Sequence, residues 1–451
     1  MAALEPRPSD PGSPKARPGL GPLLVTLFLD LLGFSIIFPL FPQILEWYQD
    51  DPLMVQVISL IESLVPEGEI DDDRVRTLFG GLLGSLYAIV QFLFSPFWGS
   101  LSDRWGRRPV LILTISGIAL ANLLWAVSGS FLLLVLSRIL AGGMGGNIAT
   151  ATAAVADLTP REERARGMGL VGAAFGIGFI LGPAVGGACS LIDISSPEST
   201  AMFRWTPFSV AALAATLLSL LNLLWIHYRL PETHTPGTSP ARPLRPRIEI
   251  GRRWGMEVVK INLANFFFLI AFSGMEFTIS FLVRRRFNWD SWDIAKMFVM
   301  VGLILAIAQG TAVRPLSRRI GERKVAMLGM VLTMAGLIGI SQASGVLYFL
   351  ATLALLTIGG AFTMPLLSAL VSLDAPAAEQ GAVLGVFRSL GSLARAIGPL
   401  AAASIYWRLG PEIPYLLSAV IFVPLGLFLV FLHRQTPTSR GDPLADHKTS
   451  P

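Results

Sequence analysis

The chain has one cysteine, Cys189, among 451 residues, so it can form no intrachain disulfide and holds no Cys-x-x-Cys ligand pair. Its four histidines, His227, His234, His433 and His447, fall at the ends of apolar runs or in the tails, without metal-ligand spacing, and no metal or other cofactor is expected. Charge is scarce: Asp, Glu, Lys and Arg together make up 14% of the residues, against roughly a quarter in soluble proteins. The phosphate-cradling sequence Gly-x-x-x-x-Gly-Lys-Ser/Thr is missing, which argues against a nucleotide-driven machine. No His-Glu-x-x-His, Ser/His/Asp set or catalytic pair of membrane aspartates is present, so no enzyme chemistry is expected.

What the chain has in quantity is apolar length. It is 53% hydrophobic with a mean hydropathy of +0.62, and the apolar residues come in runs of about 20, enough to cross some 30 Å of hydrocarbon as helix. Twelve such segments are read at 20–42, 77–98, 109–129, 131–153, 166–189, 207–228, 257–283, 293–313, 324–344, 346–373, 380–406 and 412–433. The fold class expected is an all-α membrane protein of twelve transmembrane helices in two pseudo-symmetric six-helix bundles. Residues 1–19, rich in proline, read as a disordered cytosolic tail, because the first apolar run is too long and too polar at Asp30 for a cleaved signal.

The net charge of +5 is not a nucleic-acid footprint, because the basic residues sit in short loops between apolar runs, where they set topology. With both termini cytosolic, Arg104, Arg107, Arg108, Arg161, Arg164, Arg166, the stretch Arg229 to Lys260 and the stretch Arg314 to Lys324 all fall inside. Arg284, Arg285 and Arg286 are the main exception on the outside. The basic, proline-rich linker at 229–256 divides an N-terminal bundle, 20–228, from a C-terminal bundle, 257–433, followed by a second cytosolic tail at 434–451. An acidic segment, 43–76, reads as an external loop whose apolar centre, Val55 to Val65, is too short to span. The halves repeat: Leu101-Ser-Asp-Arg-Trp-Gly-Arg-Arg108 aligns with Leu316-Ser-Arg-Arg-Ile-Gly-Glu-Arg323, and Gly182-Pro183 with Gly398-Pro399, at nearly one offset.

Several segments resemble the signature motifs of the major facilitator superfamily, across nearly the whole chain. They are Leu29 to Pro42 in the first span, the loop Gly99 to Arg108, Arg138 to Gly146 in the fourth span and Gly178 to Gly187 in the fifth. The first and fifth are similar to the twelve-helix drug:proton antiporters. Within that group, Ser273 to Phe281 and Phe387 to Pro399 resemble the animal tetracycline-transporter-like branch of proposed organic-anion carriers. The resemblance implies parallel six-helix repeats with solute bound near the midplane between them.

Five ionisable residues fall at hydrocarbon depth: Asp30, Arg138, Glu276, Arg388 and Arg395. A charge at the centre of a spanning helix costs about 2.5–3.5 kcal/mol, so function is the default explanation. Arg388 and Arg395 are seven apart and share one helix face. Asp30 is expected to partner Arg138, and Glu276 to partner Arg395. Three cations against two acids leave a cavity attractive to anions, and a proton on either acid raises that excess. Asn147, Gln91 and Gln309 are polar candidates for the same cavity. Asp103 with Arg104, Arg107 and Arg108, near Asp157, are expected to form a gate of charge pairs at the cytosolic mouth. Gly182-Pro183 marks a place where the fifth span bends or slides.

The expected function is secondary active transport of small organic solutes, amphipathic organic anions or drug-like compounds, by alternating access coupled to proton antiport. A nutrient or metabolite symporter and a transport-inactive sensor of the same fold are the alternatives. The expected partners are a small-molecule organic solute, protons and membrane lipid, with no nucleic acid, and the chain is expected to act as a monomer. The plasma membrane, or a bacterial inner membrane, is the expected location, with an organelle membrane as the other option.

Overall fold

The computed structural model describes residues 19–63, 72–159, 164–195, 202–233, 254–375 and 380–430. The expectations for both tails, for Arg161 and for most of the linker lie outside these residues. The first span is α1 (Leu20–Ser35), a 3-10 turn (Phe38–Leu40) and α2 (Phe41–Trp47). A short helix, α3 (Pro52–Ser63), follows within the acidic segment. The rest of the first half is α4 (Asp72–Trp105), α5 (Arg107–Ala126), α6 (Phe131–Met144), α7 (Asn147–Leu158), α8 (Arg164–Cys189) and α9 (Ser209–Arg229). The second half has α10 (Met256–Phe287), α11 (Ser291–Ile307), a π-helical turn (Ala308–Val313), α12 (Arg314–Ile320), α13 (Glu322–Gln342), α14 (Val346–Leu373), α15 (Gln380–Leu409) and α16 (Ile413–Val430).

Each expected span overlaps helix among the described residues. Among the described residues, nine helices are long and apolar enough to cross a bilayer by length and composition. The fifth, eleventh and twelfth segments, on α8, α15 and α16, are not among the nine. Large apolar side chains such as Leu120, Leu136, Leu217 and Leu224 are exposed, which carries no penalty when the surrounding solvent is lipid.

Helix boundaries depart from the apolar pattern at one end of the molecule. The second span runs seven residues past the apolar stretch ending at 98, to Trp105, and the eighth continues through the π-helical turn to Ile320. The loops that follow are single glycines in the left-handed half of backbone space, Gly106 at φ +99° and Gly321 at φ +89°. No side chain is comfortable there, so the repeated motif is a helix reversal built around an obligatory glycine.

The end of the molecule carrying these reversals and the linker is the linker end; the other is the far end. At the far end the two halves touch. One buried apolar cluster joins Leu40, Ile44, Phe79 and Leu83 of the first half to Phe277, Phe281, Ala403 and Tyr406 of the second. Phe41 meets Phe277 edge-on at 5.3 Å, and Glu46 pairs with Arg284. A Cβ on Gly80 would lie 2.9 Å from the Phe281 ring, and one on Gly81 would strike Ala403. The linker-end cluster of the first half, with Leu23, Leu111, Val155 and Ile226, contains no residue of the second half. Gly99, Gly310 and Gly385, on the linker-end stretches, face open space. Among the described residues, the buried apolar contact that joins the halves lies at the far end.

Candidate functional site

The fourth span is broken in mid-membrane. Its glycines Gly142 to Gly146 end α6 and start α7, and the carbonyls freed at the break are taken by side chains of α4. Trp98 Nε1 donates to Gly143 O at 2.6 Å, and Gln91 Nε2 donates to Gly145 O at 3.0 Å. Only glycine tolerates this approach, because a Cβ on Gly146 would sit on the Trp98 ring and one on Gly142 would lie 2.7 Å from Tyr87 O. Gln91 therefore caps the break.

Asn147 is the first residue of α7. Its Oδ1 accepts from the Ile148 amide at 2.9 Å and its Nδ2 donates to Asp30 of α1. The other Asp30 oxygen accepts from Asn222 Nδ2 of α9 at 3.0 Å. Asp30 is thus held by two amides, and the expected pairing with Arg138 is not made: no ion pair joins the two. Arg138, 8% exposed, instead stacks on Trp125 at 4.7 Å and turns Nε to Ser137 Oγ at 3.2 Å. A desolvated cation–π contact of this kind contributes about 2 kcal/mol, and it leaves one guanidinium nitrogen buried without a partner. Tyr87 lies within electrostatic reach of both Arg138 and Asp30. Two hydrogen bonds to a carboxylate, about 1.5–3 kcal/mol each, are of the size needed to offset the cost of its charge in the membrane.

In the second half Glu276 and Arg395 act on each other electrostatically without the close ion pair expected of them. Arg395, in the middle of α15, is exposed and Arg388 partly buried. Gln309 is exposed in the π-helical turn, away from the Asp30 group.

At the linker end the buried Arg107 guanidinium, 3% exposed, gathers Asp103 at 2.7 Å, Asp157 at 2.9 Å and Ser102 Oγ at 2.6 Å. The amides of Arg107 and Arg108, which open α5, donate to Glu232 at 2.8 and 3.2 Å, and Arg108 also reaches His227 O at 2.6 Å. These bonds join α4, α5, α7, α9 and the segment after α9, all within the first half. Arg104 is exposed in the last turn of α4. Gly182 packs on α1, where a Cβ would strike Ser35 Oγ, and Pro183 is buried beside it in α8.

Sequence reasoning missed three members of this architecture. Asn222 is a lone amide in the run Leu-Leu-Asn-Leu-Leu, a signal open to notice. Tyr87 and Glu232 carried none, since their roles depend on which elements meet. The arginines expected on the outside also find partners. Arg284 joins Glu46, and Arg286 donates to the carbonyls of Ile340, Ser341 and Ala343 and to Glu412 at 2.8 Å.

The family model described as Major Facilitator Superfamily matches residues 23–314 and 311–451. The chain is 34% identical over 426 residues to Major facilitator superfamily domain-containing protein 10 of Bos taurus, covering 88% of this chain and 89% of that protein. It is 31% identical over 389 residues to the class C tetracycline resistance protein of Escherichia coli, covering 85% and 88%. The crystal structure of the human organic anion transporter MFSD10 (TETRAN) superposes with a TM-score of 0.69 at 31% identity, over 92% of this chain and 100% of that one.

Proposed function

Because this chain belongs to the major facilitator superfamily, whose relatives here are membrane transporters and not enzymes, we propose that it carries small organic anions by alternating access in exchange for protons. The observation that carries this reading is the imbalance of charge within the apolar segments. Arg138, Arg388 and Arg395 stand at membrane depth against Asp30 and Glu276, and neither acid is closed off in an ion pair. A solute carboxylate or sulfonate satisfies the surplus cation; a proton on Glu276 frees Arg395 for it. The relatives described as an organic anion transporter and as tetracycline resistance proteins support an organic solute.

In this reading the linker end is cytosolic, as the distribution of Lys and Arg favours, and the structure is the inward-open member of the cycle. The network around Arg107, with Asp103, Arg104, Arg108 and Asp157, forms the cytosolic gate. The protein works as a monomer in a plasma, bacterial inner or organelle membrane.

The test is uptake of a panel of organic anions and cations into liposomes holding the purified chain, with and without an imposed pH gradient. Saturable anion flux driven opposite to the proton gradient is expected, and Glu276→Gln is expected to retain flux while losing its dependence on the gradient. Flux running with protons identifies a symporter, and flux indifferent to pH in the wild type rejects coupling altogether.

A further inference from the structure

Asn222 lies at the centre of α9 with no exposed surface. Its Nδ2 serves Asp30 at 3.0 Å and, at the limit of hydrogen bonding, Thr26 O at 3.5 Å. Its Oδ1 is buried and has no partner. An orphan acceptor in hydrocarbon is costly, and an apolar residue of similar shape would avoid that cost.

The two amides holding Asp30 are not equivalent. An ionised carboxylate only accepts, so both turn their nitrogens toward it. Asn147 has its Oδ1 engaged by the Ile148 amide, which fixes the orientation of its side chain. Asn222 has nothing on its oxygen, and turning its amide over sacrifices only the long contact to Thr26. When Asp30 takes a proton, the new O–H needs an acceptor within reach; the turned Asn222 supplies one, while Asn147 keeps only a donor.

We propose that Asn222 is a positioning residue that reads the protonation state of Asp30, donating through Nδ2 to the carboxylate and accepting through Oδ1 from the carboxylic acid. The proton enters from the aqueous side of the seam, ends on an Asp30 oxygen and is shared with Asn222; no other bond forms or breaks. Asn147 then has a neutral oxygen in place of a charged one, which loosens the tie between α1 and the break in the fourth span. The inference rests on the reading of Asp30 as a proton carrier. The ionisable group within electrostatic reach of Asp30 is Tyr87 from α4, which is in turn within reach of Arg138 from α6. Of the ionisable groups on the helices packed against α1, Asp157, Arg164, Arg166, His227, Tyr228 and Arg229 belong to the linker-end turns of α7, α8 and α9, and Cys189 ends α8 at the far end.

The test needs no solute. Infrared difference spectra of the full chain in liposomes, in a Glu276→Gln background, follow the carboxylic-acid C=O stretch as pH is lowered. The band is expected to grow in this background and to vanish with Asp30→Asn. In Asn222→Leu its midpoint is expected to move to higher pH by about one to two units, the loss of one hydrogen bond to a charged group, with the stretch at higher frequency because the acid has lost its acceptor. Asn222→Gln, which keeps the amide, is expected to stay near the background midpoint, and Asn222→Ala replaces the leucine variant if that one does not fold. An unmoved midpoint and frequency in the apolar variant overturns the role of Asn222 and leaves Asp30 as the carrier. A band that survives Asp30→Asn, or that never grows, overturns the Asp30 reading and this inference with it.

Discussion

Arg388 and Arg395 share one face of α15 but not one environment. Arg388 is partly buried, whereas Arg395 is exposed and lies within electrostatic reach of Glu276. Of the two, Arg395 is therefore the guanidinium more open to a solute anion. Arg395→Ala is expected to weaken equilibrium binding of an organic anion by tenfold or more, the loss of about 1.5–3 kcal/mol from a charged hydrogen bond, with a smaller effect for Arg388→Ala. Isothermal titration with an anion drawn from the uptake panel checks this; equal losses in the two variants remove the distinction. The residues that carry charge were legible from the sequence because charge in an apolar run is expensive wherever it lies. Their partners were not: Asp30 chose Asn147 and Asn222 over Arg138 because Trp125 offers the guanidinium a face.

At the scale of elements the repeat is visible in backbone detail. Gly178 and Gly182 of α8 bring α1 so close that a Cβ would lie 2.7 Å from Phe28 O and 2.5 Å from Leu32 O. In the second half Gly398 of α15 stands 2.7 Å by the same measure from Ile270 O, with Ser273 Oγ beside it as Ser35 Oγ is beside Gly182. Small residues at four-residue spacing allow this approach where lipid gives helices no hydrophobic reason to associate. Gly182→Ala is expected to cost about 1–3 kcal/mol through overpacking, read as a lowered thermal midpoint in detergent; an unchanged midpoint would show that the glycine serves motion and not packing. The break between α6 and α7 has no counterpart in α14, which runs unbroken from Val346 to Leu373. The repeat thus holds for the packing glycines and the reversals at Gly106 and Gly321, and fails where the acid is held.

At the scale of the whole molecule, the halves join at the far-end seam. Glu46 and Arg284 form an ion pair across it, with side chains 45% and 32% exposed, so the pair contributes no more than about 0.2–1 kcal/mol. Glu46→Gln or Arg284→Gln is expected to raise the population open at the far end about twofold, since such an energy shifts a two-state equilibrium by that factor. Spin labels at cysteines placed at Gly99 and Gly385, in a Cys189→Ser background, report this as a growing short-distance component. The charge-reversed pair, Glu46→Arg with Arg284→Glu, should restore the original distribution; failure of that rescue removes the pair from the gate. The amino-acid sequence by itself determined the membrane class, the apolar segments, the two-fold repeat and the depth of the charges, because each follows from local composition and from the dimensions of a bilayer. Only the tertiary structure decided who partners Asp30, where the fourth span breaks and at which end the buried apolar contact joins the halves, because these depend on distances between elements far apart in the chain.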